Sequence, residues 1–201
     1  MKIIKILCFG DSITKGYYGN GYCPYSKIVE QWLNESTDQV HFQLVEKGQD
    51  GECVVEMEER FKRALLCEKF DYVILLGGLN DLGCDTPITD IMDSFKVMYN
   101  LMDDNANETN VKKFFHITIP FNAFDTFSQE YQNKIKLNNM ILEFKHVKRI
   151  IIDINHESFN YLCLDECDRK LYWDDHLHYT PKGYEMLAKI IFEKLIENIK
   201  F

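Results

Sequence analysis

The stretch Ile3-Ile4-Lys5-Ile6-Leu7-Cys8-Phe9-Gly10-Asp11-Ser12 decides how this chain is read. Up to Phe9 it is apolar and rich in isoleucine, broken only by Lys5, which is the composition of a strand. From Gly10 it turns polar and glycine-bearing, continuing through Thr14, Lys15, Gly16 and Tyr17. In open α/β sheets, ligands sit outside the carboxyl ends of the strands, so Ser12 is well placed for chemistry. Serine is a weak nucleophile. It needs a base, a group that orients the base, and donors for a developing oxyanion. On local sequence alone Ser12 could equally cap a turn.

Outward from this stretch, four more short apolar runs follow: Val40 to Val45, Tyr72 to Leu76, Phe114 to Ile119 and Ile150 to Ile154. Several are continuous rather than alternating, which suits parallel strands covered on both faces. Between them lie stripes with helical spacing. They are Tyr25, Ile28, Val29, Trp32, Leu33; then Val54, Met57, Phe61, Leu65; then Ile91, Phe95, Met98, Tyr99, Met102. A fourth runs Tyr131, Ile135, Leu137, Ile141, Leu142, Phe144, and a last one Met186, Leu187, Ile190, Ile191, Leu195, Ile199. Residues 56 to 63 carry Glu56, Glu58, Glu59, Arg60, Lys62 and Arg63 on the polar side of the second stripe. Strand and helix in alternation predict an α/β fold, a doubly wound parallel sheet with right-handed crossovers. The polar run 103–110 reads as a helix end and exposed loop, and 155–175 as a long loop or short helix. With no linker or repeat, residues 1–201 are expected to form a single domain.

Composition narrows the function. The chain has 23 basic and 32 acidic residues, a net charge of −9. That disfavours nucleic acid and anionic membranes as partners, because phosphate binding needs clustered lysine and arginine. No run of about 18 apolar residues exists, so no stable membrane insertion is expected. The seven cysteines are irregularly spaced and odd in number, which reads as reduced thiols. With no cleavable leader pattern at the N-terminus, the expected location is cytoplasmic.

In such a sheet every loop after a strand opens on the same edge. Those loops hold Gly10-Asp11-Ser12, the run Glu46 to Glu52 containing Gly51, Gly77-Gly78-Leu79-Asn80-Asp81, and Pro120 to Phe124. Before the last helix stands Trp173-Asp174-Asp175-His176-Leu177-His178-Tyr179. Gly51, just before a helix, can offer its N–H to an anion with help from the helix dipole, though alone it reads as a turn glycine. Asn80 carries an amide donor, and Asn80-Asp81 alone reads as a helix cap. With the Ser12 N–H these make a three-donor oxyanion hole. His178 is the base. Asp175, three residues earlier, can reach its Nδ1 through a tight turn. The same step from Asp174 lands on Leu177, so Asp174 and His176 are assigned to the rim, and Asp81 to a structural role.

Gly10-Asp11-Ser12-Ile13, Gly51, Gly78-Leu79-Asn80-Asp81 and Asp175-His176-Leu177-His178 resemble the four sequence blocks of the SGNH hydrolases, or GDSL esterases, in the family's order. Thr180-Pro181-Lys182-Gly183-Tyr184 resembles the family's continuation into the last helix. The resemblance implies a three-layer α/β/α sandwich, flavodoxin-like, with a five-stranded parallel sheet in the order 2-1-3-4-5. It implies Ser12 as nucleophile, Asp175 and His178 completing a triad, and Ser12, Gly51 and Asn80 as oxyanion hole. It implies a serine esterase acting on carboxylic esters, among them small acyl, aryl, acetyl-sugar and lysolipid esters, through an acyl-enzyme and with no cofactor. Two positions depart from the usual pattern. Glu46 stands where many members carry asparagine, and Tyr179 follows the histidine where a small or aliphatic residue or proline is commoner.

Asp11, Tyr17, Phe121 and Trp173 are candidates to line a substrate pocket, with Tyr18, Tyr22 and Phe124 also on loops at that edge. A metal reading would use Cys163, Cys167, His176 and His178, but so short an H-x-H gap is atypical for zinc, and no metal is assigned. The rival from another class is a non-catalytic ligand-binding module on a flavodoxin-like scaffold. No G-x-G-x-x-G or P-loop supports it. An α/β-hydrolase shares the order Ser, Asp, His, but its serine lies deep in the chain within G-x-S-x-G. The partner expected is therefore a small-molecule ester, and oligomeric state is not legible.

Overall fold

A computed structural model describes residues 1–103, 109, 111–122 and 126–200. Its centre is a five-stranded, all-parallel sheet made of β1 (Lys2–Gly10), β4 (Val40–Gly48), β5 (Tyr72–Leu76), β6 (Lys113–Ile117) and β7 (Arg149–Ile152). The order is β4-β1-β5-β6-β7, the expected 2-1-3-4-5 in sequence-order labels. Each predicted apolar run is one of these strands. The inner half of β1 and all of β5 are buried without alternation, as a sheet covered on both faces requires.

The helices come from the predicted stripes. The chain forms α2 (Tyr25–Ser36), α3 (Val54–Cys67), α5 (Ile88–Asp103), α6 (Gln129–Glu143) and α8 (Pro181–Asn198). α2 and α8 pack together on one face, while α3, α5 and α6 follow one another across the other. Three short helices punctuate the loops: α1 (Ser12–Lys15), α4 (Leu79–Gly83) and α7 (Glu166–Tyr172). The last of these is the short helix allowed for in 155–175. A small antiparallel hairpin of β2 (Tyr17–Tyr18) and β3 (Gly21–Tyr22) was not foreseen. Residues 104–108 and 110 of the polar run, and Ala123 and Phe124, lie outside the described residues.

Some details differ from the sequence reading. The fourth apolar run ends as a strand at Ile117, not Ile119, and the fifth at Ile152, not Ile154. Asn138 on α6 takes both backbone groups of Ile119, its Oδ1 accepting from N at 2.8 Å and its Nδ2 donating to O at 2.8 Å. On the same helix Leu142 is exposed, while Lys134 and Asn138 are buried. The α6 stripe therefore holds polar residues facing inward, each with a hydrogen-bonding partner beneath the loop after β6.

The register brings the candidate loops to one level. Gly10 pairs with Gly48 on β4 and with Leu76 on β5. A side chain at Gly10 would put its Cβ 2.3 Å from the Leu76 carbonyl oxygen and 2.4 Å from Thr14 Oγ1, so only glycine fits where β1 turns into α1. Among the described residues, no helix is long and apolar enough to cross a membrane.

Candidate active site

Asp11 caps α1, accepting from the Ile13 N–H at 2.9 Å, and so sets Ser12 at the first helical position. The N–H at that position has no acceptor within a helix. Ser12 itself is nearly buried. Its Oγ lies 2.9 Å from His178 Nε2, across 166 residues of chain.

His178 is delivered by a loop closed at its base. Trp173 and Tyr179 form an antiparallel bridge, and the Asp174 N–H donates to the His178 carbonyl at 3.0 Å. Below, Thr180 caps α8 by accepting from the Gly183 N–H at 3.1 Å, with Pro181 in the first turn. At the tip, Asp175 Oδ1 accepts from the N–H groups of Leu177 and His178, each at 2.6 Å. Its Oδ2 lies 2.8 Å from His178 Nδ1. Burial pulls the Asp175 carboxyl upward, but the His178 ring and the two backbone N–H groups outweigh it, and the pKa falls below the usual value. Asp175 is thus a carboxylate, an acceptor only. Nδ1 must carry the ring proton, and Nε2 is left to accept from the Ser12 hydroxyl.

The remaining predicted donors stand on the neighbouring loops. Gly51 is exposed in a turn with φ +72°, a left-handed conformation that favours glycine. It sits two residues before Cys53, which caps α3. The dipole of α3 is not open to a ligand as expected. Asp81 occupies it, both carboxylate oxygens accepting from the Val54 N–H at 3.0 and 2.9 Å. Asp81 is thereby the fastening between the Gly51 loop and α4, which is its structural role. Asn80 donates one amide hydrogen to the Glu52 carbonyl at 3.0 Å, and chemistry leaves it a second.

The other candidates divide. Tyr17 is half-buried on the hairpin, its ring centroid 4.7 Å from that of His178. The hairpin is held by Gly19 N–H donating to Asp174 Oδ2 at 2.7 Å and by Tyr184 Oη–H donating to the Tyr17 carbonyl at 2.7 Å. Asp174 is thus a rim residue that anchors this hairpin. Phe121 is half-buried, its ring 5.4 Å from that of Tyr131. Asp11 and Trp173 do not present an open surface to a substrate. Asp11 is 1% exposed and caps α1, and Trp173 is 6% exposed. Trp173 instead joins a buried cluster with Tyr161 and Tyr179, ring centroids 5.5 and 4.5 Å away. Tyr179, the unusual residue after the histidine, stacks at 4.9 Å on Phe159 and anchors the base of the His178 loop. Glu46 accepts from the Gly48 N–H at the end of β4. Among the described residues no group of three or more His, Cys, Asp or Glu side chains could hold a metal, so Cys163, Cys167, His176 and His178 form no such cluster.

Burial raises the Asp11 carboxyl to about 7, against the pull of the Ile13 N–H and of His178 and with a further push from Asp81. Four residues around the site were not anticipated. Arg60 lies on the polar side of the second stripe, yet its guanidinium pairs with the buried Glu52. Asn122 links Lys134 on α6 to the His176 carbonyl in the loop that carries His178. Nothing in their spacing sets these residues apart from surface ones, because each acts through a contact distant in sequence.

The sequence profile of the GDSL-like lipase/acylhydrolase family matches residues 8–186. Among solved structures, the chain resembles a lipolytic protein of the G-D-S-L family from Desulfitobacterium hafniense, with TM-score 0.73 and 17% identity over 94% of this chain and 98% of that one. It resembles a lipase/acylhydrolase from Enterococcus faecalis, with TM-score 0.73 and 21% identity over 98% and 97%. An acetylxylan esterase from Geobacillus stearothermophilus gives TM-score 0.71 and 20% identity over 100% and 98%. At these identities the likeness is one of fold. No curated protein matches the chain in sequence at a significant level. With the profile spanning the first strand to the last helix, the chain belongs to the GDSL-like lipase/acylhydrolase family.

Proposed function

We propose that this protein is a serine esterase that hydrolyses small-acyl carboxylic esters through a covalent acyl-enzyme. The observation that carries this reading is the pair of consecutive hydrogen bonds, Ser12 Oγ to His178 Nε2 at 2.9 Å and His178 Nδ1 to Asp175 Oδ2 at 2.8 Å. Ser12 Oγ attacks the ester carbonyl as His178 Nε2 takes its proton. Asp175 holds the ring tautomer and stabilises the imidazolium. The tetrahedral oxyanion is received by the Ser12 and Gly51 N–H groups and the free Asn80 amide hydrogen. His178 then protonates the leaving alkoxide, and the ester C–O bond breaks. Water repeats the sequence on the acyl-enzyme, giving a carboxylic acid and free Ser12.

A small acyl group, such as the acetyl of an acetylated sugar, is favoured because the loops between strands carry no large insertion that would wall a long-chain site. The acetylxylan esterase among the structural likenesses agrees with this choice. The test is hydrolysis of p-nitrophenyl esters from acetate to octanoate by wild type and Ser12→Ala. Activity falling with chain length in wild type, and lost in Ser12→Ala, is the expected result. A Ser12→Ala protein as active as wild type would overturn the reaction. Preference for octanoate would overturn the substrate class.

A further inference from the structure

Arg60 projects from the polar side of α3, yet its side chain is only 22% exposed. The guanidinium makes bonds to three segments of chain. Nε donates to Glu52 Oε1 at 2.7 Å, and Nη2 donates to Oε2 of the same carboxylate. Nη1 donates to the Lys47 carbonyl at 2.8 Å, and Nη2 also to the Gly10 carbonyl at 3.1 Å. Its plane rests on Phe9, with 3.9 Å from the guanidinium carbon to the ring centroid. The Glu52 side chain is 3% exposed, and both its carboxylate oxygens are held by this guanidinium.

The anchored segments flank two of the proposed oxyanion donors, Ser12 and Gly51, and reach the third, Asn80, through the Glu52 backbone. Gly10 ends β1, two residues before Ser12. Lys47 lies at the end of β4, ahead of the Gly51 turn. Glu52 follows Gly51 directly, and its own carbonyl accepts from the Asn80 amide at 3.0 Å. One planar, forked cation therefore ties the end of β1 to both ends of the Gly51 loop, and Glu52 carries the tie on to Asn80. A lysine ammonium cannot copy that fork.

We propose that Arg60, with Glu52, is the positioning residue of the oxyanion hole. This deepens the serine-esterase reading above and rests on it. Arg60 touches no reacting atom. Its effect is on how well the Ser12 and Gly51 N–H groups and the Asn80 amide converge on a charged oxygen that exists only in the transition state. Displacing such donors lowers kcat and leaves substrate binding nearly unchanged.

The experiment is a double-mutant cycle on the full chain with p-nitrophenyl acetate, using Arg60→Lys, Glu52→Gln, Asn80→Ala and the combination of Arg60→Lys with Asn80→Ala. Thermal melts establish that each variant is folded, and Glu52→Gln carries the test if Arg60→Lys is not. The expected result is a fall in kcat of about 10- to 100-fold for Arg60→Lys and Glu52→Gln, with KM within about twofold. Asn80→Ala then costs several-fold less in the Arg60→Lys protein than in wild type, because the donor it removes is already misplaced. A structural role for Arg60 would instead lower Tm and leave the Asn80 effect undiminished. Folded variants with wild-type kcat, or an Asn80 effect equal in both backgrounds, would overturn the proposal. Ser12→Ala separates the two levels. If it abolishes activity while Arg60→Lys is unaffected, only the positioning role falls. If Ser12→Ala is itself fully active, the esterase mechanism falls with it.

Discussion

The ring of Tyr17 meets that of His178 edge to face, with centroids 4.7 Å apart and planes at 66°. The contact joins the β2–β3 hairpin to the loop that carries His178. It sits beside the imidazole, whose Nε2 faces Ser12. Tyr17→Ala removes one side of the wall that holds the ring. Because the Asp175 contacts remain, the expected loss is modest, about 3- to 30-fold in kcat on p-nitrophenyl acetate. Tyr17→Phe keeps the ring and is expected within about twofold of wild type. Equal activities for Tyr17→Ala and wild type would show that the hairpin plays no part in holding His178.

Asp175→Asn keeps the side-chain shape but replaces the carboxylate Oδ2 at 2.8 Å from Nδ1. Either the amide NH₂ now faces the ring, or the two backbone N–H groups lose part of their acceptor. The first arrangement favours the wrong tautomer, leaving Nε2 unable to accept from Ser12. The expected loss in kcat is about 10³- to 10⁴-fold, with the fold retained by circular dichroism.

Asp11 and His116 make opposing contributions to stability across acid pH. The buried Asp11 carboxyl titrates at about 7 against 3.8 for the free group. Between those values the folded state holds a proton that the unfolded state has lost, so this group's contribution to stability falls as pH rises from about 4 to 7. Burial lowers the His116 imidazole to about 3 from 6.5. There the unfolded state holds the extra proton, so its contribution rises with pH from about 3 to 6.5. In wild type the two partly cancel. Asp11→Asn retains an acceptor for the Ile13 N–H and removes the first effect. Its unfolding free energy from denaturant titration, relative to wild type, is therefore expected to climb between pH 4 and 7, by an amount of the order of a few kcal/mol at the upper end. A pH-independent difference between the two proteins would contradict the assignment.

Asn138→Leu should unfold more easily than expected of an apolar replacement at a buried site. The substitution leaves the Ile119 N–H without the Oδ1 acceptor now at 2.8 Å. The Ile119 carbonyl keeps a second donor, Asn155 Nδ2 at 3.0 Å. One buried donor left unpaired costs about 1–3 kcal/mol, read as a lower urea midpoint.

The alternation of apolar runs and helical stripes made the sheet legible, because strand burial on both faces leaves a continuous mark such as Tyr72 to Leu76. That Ser12, Asp175 and His178 come together was legible from the sequence blocks taken jointly, since each block stands after a strand or before the last helix, and the structure brings the three side chains within hydrogen-bond reach. Residues whose function depends on a distant partner were not. Arg60 has the same local setting as Arg63, and only the fold brings its guanidinium to Glu52, Lys47 and Gly10. Trp173 lay on a loop in sequence, but its ring turns back into the cluster around Tyr179. Asn138 falls on an apolar stripe, and its reason for being there is a backbone group on the loop after β6.

The central claim is that Ser12 is an activated nucleophile. Incubation of the intact protein with a fluorophosphonate, followed by mass spectrometry and peptide mapping, tests it most directly. The expected result is one phosphonyl group per chain, fluoride as the leaving group, the adduct on Ser12, and labelling lost in Ser12→Ala and strongly slowed in His178→Ala. Absence of an adduct from the folded wild-type protein, or an adduct on another residue, would contradict it and favour a binding module on the same sheet.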